Sequence, residues 1–117
     1  MNQKLNLQVN VSKLENFKSI FGGNFEPGKR ISLGEIDLKI KDIEVGSGFI
    51  ENINVEFILT YSSEIGSTVL STAIIELLKN GVKKVKINGS PTRIKEKEII
   101  KKIELEHKKN RESDDVQ

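Results

Sequence analysis

Residues 53–87 read INVEFILTYSSEIGSTVLSTAIIELLKNGVKKVKI, and the hydrophobic period changes twice within them. Ile53, Val55, Phe57, Leu59 and Tyr61 alternate with Asn54, Glu56, Ile58 and Thr60, the period-two mark of a strand with one buried face. From Ile65 to Leu78 the apolar residues recur three and four apart, as they do on one side of a helix. Ser62 or Ser63 is placed to cap that helix, and Asn80-Gly81 to close it after Lys79. Val85 and Ile87 then restore the alternation. The stretch predicts strand, helix, strand.

Upstream, Leu5, Leu7, Val9 and Val11 alternate with polar residues and predict a first strand. Ser12 with Glu15 reads as a capping box opening a helix that carries Leu14, Phe17 and Phe21 and stops at Gly22-Gly23. Pro27-Gly28 marks a turn. From Ile31 to Val45 the parity of the apolar set changes at Gly34 and again at Lys41-Asp42, which predicts one long, bulged strand. Gly46-Ser47-Gly48 then turns it into an antiparallel hairpin with the strand at 53–61.

Downstream, Asn88-Gly89 is a strong two-residue hairpin signal, because both residues accept positive φ. A short return strand, Thr92 to Ile94, follows, and Pro91 belongs on a sheet edge because it has no N–H to donate. A last helix begins near Lys95, with Ile99, Ile100 and Ile103 on a narrow stripe and Glu98–Lys102 and Glu104–Lys108 as i,i+4 pairs. The domain is expected to fill residues 1–109, with 110–117 a polar, disordered tail.

The order β-α-β-β-α-β is that of the α+β fold called ferredoxin-like. It predicts a four-stranded antiparallel sheet in the order 4-1-3-2 with both helices on one face, followed by the return strand and the C-terminal helix. Lys4, Asn6, Gln8, Asn10, Asn54, Glu56, Ile58, Thr60, Lys84 and Lys86 should line the opposite, open face.

The chain of 117 residues is one domain in size, with 31% charged residues, no Cys and no Trp. That composition excludes a disulfide framework and a thiolate metal site. The N-terminus has no apolar leader-like run, and the most apolar stretch is too short to span a bilayer, so a cytoplasmic protein with no membrane partner is expected. Net charge is only +2, but it is segregated. Six acids and two bases lie between Ile31 and Tyr61, whereas five bases and no acid lie between Lys79 and Arg93. In a four-stranded sheet these segments form opposite edges of opposite charge.

Catalytic and cofactor chemistry finds little to stand on. No glycine-rich loop opens a helix, so no phosphate cradle, metal or cofactor is expected. Phe57 and Tyr61 share parity with the core, which leaves no aromatic platform for stacked bases. His107, in the polar end of the last helix, and Glu76, beside Thr72 and Lys79, read as solvated surface groups.

Three features bear on function. Lys83, Lys84, Lys86 and Arg93 form a basic segment suited to an acidic partner or to phosphates. The second helix is apolar over about half its circumference, more than the ~100° that one sheet requires, so Gly66, Leu70, Ile74 and Ile75 are candidates for a helix interface. Asn6, Asn10 and Asn54 form a stripe that can hydrogen-bond across the open face. Together these predict a non-enzymatic module that docks to itself or to a partner protein. The alternatives are weak nucleic-acid binding through residues 79–93, or a small-molecule-binding regulator with its site between subunits.

Overall fold

A computed structural model of the chain describes residues 2–46 and 52–115, with side chains as far as Lys109. The turn expected at Gly46-Ser47-Gly48 lies largely outside those residues. The elements are β1 (Asn2–Val11), α1 (Glu15–Ile20), β2 (Arg30–Leu33), β3 (Ile36–Val45), β4 (Ile53–Ser62), α2 (Ser67–Leu78), β5 (Val82–Ile87), β6 (Ser90–Thr92) and α3 (Glu96–Asp115).

The fold is α+β: one antiparallel sheet in the order β2-β3-β4-β1-β5-β6, and three helices. The expected four-stranded sheet with a return strand needs correcting to six strands: the return strand is present as β6, and the one long strand expected over 31–45 is divided into β2 and β3. Both outer strands are joined to their neighbours by two-residue turns. Gly34 has φ +63° and Leu33 pairs with Ile36, so the first parity change is a tight turn of the kind that places Gly at its first central position. The second is a bulge: Ile40 pairs with Phe57 and Asp42 with Glu56, leaving Lys41 extra. At the other edge Asn88 (φ +49°) and Gly89 (φ +81°) turn β5 into β6, and Pro91 sits on that edge as expected.

The inward side chains form a single core. Leu7, Leu38, Ile40, Phe57, Leu59, Ile74 and Ile87 are fully buried in it. Around Phe57 the rings of Phe17, Phe21 and Phe25 stack and meet edge to face, with centroids 5.1–6.3 Å apart. Burial of an aromatic side chain contributes about 2–3 kcal/mol, so this cluster anchors the short α1.

The helix ends differ in part from expectation. Ser12 does not cap α1; Leu14 occupies that position, its carbonyl accepting from Phe17 and Lys18. Ser12 lies two residues too early for its hydroxyl to meet the first free amides. Helix α2 begins only at Ser67, after Ser62 has closed a turn by accepting from Glu64 and Ile65, and Gly66 caps it without a side chain. Gly22-Gly23 and Asn80-Gly81 close their helices as read: Gly23 donates to the Lys18 carbonyl, and the Asn80 side chain donates to the carbonyls of Glu76 and Leu77. The return strand is Ser90–Thr92 rather than 92–94, because the turn ends at Gly89. Helix α3 continues to Asp115, past Asn110 where the tail was expected to begin.

The second neighbour that the broad face of α2 requires is α3, which packs against it and buries Ile99 and Ile103 in the shared core. Glu106 follows them on the same stripe and is buried too. Lys102 donates to it over 2.9 Å, so the i,i+4 pair at the packed face is Lys102–Glu106 rather than Glu98–Lys102.

Candidate functional site

Strand register sets the open face. Lys4 pairs with Thr60, Asn6 with Ile58, Gln8 with Glu56 and Asn10 with Asn54, all directed away from the core. No ring is displayed there by β1 or β4, because Phe57 and Tyr61 are buried. The stacking mode of base recognition therefore lacks its platform among the described residues.

Two rows of cross-strand neighbours cross this face. In one, Glu44 (β3) lies beside Asn54 (β4), Asn10 (β1) and Lys84 (β5). In the next, Asp42 lies beside Glu56, Gln8 and Lys86. The first row runs from a carboxylate through two amides to an ammonium, the second from two carboxylates through one amide to an ammonium. Lys84 and Lys86 lie on the open face, where strand parity puts them, and Asp42 and Glu44 join them because the bulge at Lys41 turns their side chains to that side. The acidic strand β3 is not the edge expected of it, since β2 covers it.

The middle of the first row and Glu56 in the second are internally satisfied. Asn10 Nδ2 donates to Oδ1 of Asn54 over 3.0 Å and also to Oδ1 of Asn52. Glu56 Oε2 accepts from Asn6 Nδ2 and meets Lys41 Nζ at 3.3 Å. The ends are not satisfied. Lys84, Lys86 and Glu44 make no ion pair or side-chain hydrogen bond among the described residues, and Asp42 accepts only from the neighbouring Ile43 amide. Strands three places apart are separated by about 14 Å, too far for these ends to neutralise each other within one chain. Between them the face dips into a hollow of about 480 Å³.

The chain matches no family model and no curated protein sequence. Among the described residues no helix is long and apolar enough to cross a membrane, and no cluster of His, Asp and Glu could hold a metal ion.

The residues singled out by sequence fall in three places. Lys84 and Lys86 share the open face; Lys83 is the extra residue of a bulge against β1, and Arg93 is exposed just past β6. The structure brings only the first two together. Leu70 and Ile74 are core residues, Ile75 packs against the core and Gly66 is an exposed cap, so these four do not share a free surface. Val69, read as part of the apolar face, is 52% exposed. Glu76 is exposed and pairs with Lys79 at 2.9 Å. His107 is half-buried rather than solvated, and its Nδ1 is enclosed with no hydrogen-bond partner among the described residues. Asp42 and Glu44 belong in sequence to an acidic segment, and nothing in their spacing alone marks them as site residues. The bulge at Lys41 is the signal that puts both on the open side.

Proposed function

We propose that this chain is a non-catalytic docking module whose binding surface is the open face of its sheet. We read its inner strands β5-β1-β4-β3, with α1 and α2, as a ferredoxin-like core extended by one strand at each edge. The observation that carries the functional reading is the pair of charged rows: Lys84 and Lys86 at one end and Asp42 and Glu44 at the other, none of them in an ion pair among the described residues, with Asn10, Asn54, Gln8 and Glu56 between. Charges left unmatched across an exposed face set orientation and partner choice more than raw affinity. A partner protein offering the complementary pattern pairs all four ends.

Capture on the tagged full chain tests this, an untagged second copy being counted among the partners. A protein held by the wild type and lost from both K84E/K86E and D42K/E44K supports the reading. Identical capture by all three overturns it.

A second reading, nucleic-acid binding through Lys83, Lys84, Lys86 and Arg93, is favoured by the two unpaired lysines lying side by side. Asp42, Glu44 and Glu56 share the same hollow and repel a polyanion entering it. Retention on heparin that falls with salt, and is lost in K84E/K86E, would favour this reading.

A further inference from the structure

The geometry points to a second copy of this chain as the occupant of the open face; this rests on the docking reading and names its partner. Each charged row is complementary to its own reverse. Consider a twofold axis lying between two facing sheets and parallel to their strands. It sets β3 of one copy over β5 of its twin and β4 over β1, and keeps every residue at its level along the strand. Glu44 then stands over Lys84, Asp42 over Lys86, Asn54 over Asn10 and Glu56 over Gln8. Every contact occurs twice, as an isologous interface requires.

Charge selects this arrangement. A twofold running across the strands would set β3 on β3, carboxylate against carboxylate, and β5 on β5. The favoured axis also keeps the two sets of strands nearly aligned, as packed sheets prefer, at a separation of about 10 Å that extended lysine and glutamate side chains span. Three ten-residue strands about 30 Å long and the six-residue β5, about 20 Å long, at a spacing of about 4.8 Å present on the order of 500 Å², so two copies bury on the order of 1,000 Å², in the range of weak, transient interfaces. The hollow between the rows leaves room for the twin's long side chains. The resulting dimer is polar, weak and salt-dependent.

Sedimentation of the full chain tests the inference, and the wild type alone supplies the first arm. Association at about 50 mM salt that weakens by more than about tenfold at about 500 mM is expected. K84E/K86E and D42K/E44K should each be monomeric alone, and an equal mixture of the two should recover a dimer. The quadruple variant, with both ends reversed, should self-associate like the wild type. A wild type that stays monomeric at low salt and about 1 mM chain overturns the inference. So does a dimer that neither reversal weakens, or a mixture that does not recover. If the wild type is monomeric while the reversals still abolish capture of a different protein, self-docking falls and the docking reading stands. If the reversals change neither measurement, both fall.

Discussion

Nδ2 of Asn88 donates to Oε2 of Glu106 over 2.9 Å, tying the β5–β6 turn to α3. The same side chain accepts from the Asn6 amide over 2.8 Å, and its own amide donates to the Asn6 carbonyl over 2.8 Å. One residue thus joins β1, an edge hairpin and the last helix. It does so from a left-handed conformation, φ +49°, that Asn tolerates and most residues do not.

Two substitutions at this position should separate turn from tether. Asn88→Gly keeps the turn and loses the side-chain bonds, at a cost of about 1–2 kcal/mol. Asn88→Ala loses the bonds and adds backbone strain of about 1 kcal/mol. Urea denaturation should therefore rank wild type above Asn88→Gly, and Asn88→Gly above Asn88→Ala.

The same contact gives α3 a pH dependence. Burial alone would raise the Glu106 carboxyl, but hydrogen bonds from Lys102 and Asn88, with the charges of Lys102 and Lys109, more than offset it. The group is held below the usual glutamate value of 4.5. A depressed acid contributes stability that is present above its unfolded value and lost as pH falls through the folded one. Thermal melts should show wild type above Glu106→Gln at pH 7, with the gap closing as pH drops below about 4.5. A gap that persists unchanged into the acid range would contradict this account.

Phe57 is the hub of the aromatic cluster, fully buried and touching Phe17, Phe21 and Phe25. Phe57→Ala should cost about 3–5 kcal/mol, because Phe17 in the six-residue α1 and Phe21 at its C-cap cannot collapse into the gap. Phe57→Leu should cost less than half of that. Denaturation followed by circular dichroism measures both.

Periodicity made most of this fold legible. The alternation in 53–61 buried the residues it named, and Asn88-Gly89 turned where its positive φ values allowed. The misreadings have local causes. A bulge and a two-residue turn both shift parity by one, so Gly34 and Lys41-Asp42 looked alike, although only Gly34 carries the glycine that a tight turn needs. The turn at Gly34 makes β3 an inner strand rather than an edge, and the bulge at Lys41 turns Asp42 and Glu44 to the open face. The Asn88–Glu106 contact joins residues whose approach depends on how α3 docks. The one local hint was that Glu106 continues the Ile99–Ile103 stripe.

The two ends of α2 offer opposite glycine tests. Gly81 has φ +79°, and a Cβ there would come within 2.9 Å of Asn16 Nδ2, the group that donates to the Asn80 carbonyl. Gly81→Ala should destabilise by about 1–2 kcal/mol. Gly66 stands in extended backbone at the other end, with nothing within 4 Å and no acid in the first turn. Gly66→Asp supplies both a cap and a favourable charge, and should stabilise by about 0.3–1 kcal/mol. Melting temperatures of the two variants should move in opposite directions.

Pro91 guards the edge at β6. Ile87 and Ser90 close the two-residue turn, so the next pair, Lys86 and Pro91, is one whose backbone groups point away from each other. The nitrogen of Pro91 therefore faces outward, where any other residue would offer a free donor to a foreign strand. Pro91→Val restores that donor on a strand-forming residue and should promote edge-to-edge association. Backbone hydrogen bonds are screened far less than ion pairs, so this association should persist at about 500 mM salt, where contacts through the charged rows have weakened. Light scattering of Pro91→Val at low and high salt distinguishes the two surfaces: an oligomer that dissolves with salt would place the new contact on the face rather than the edge.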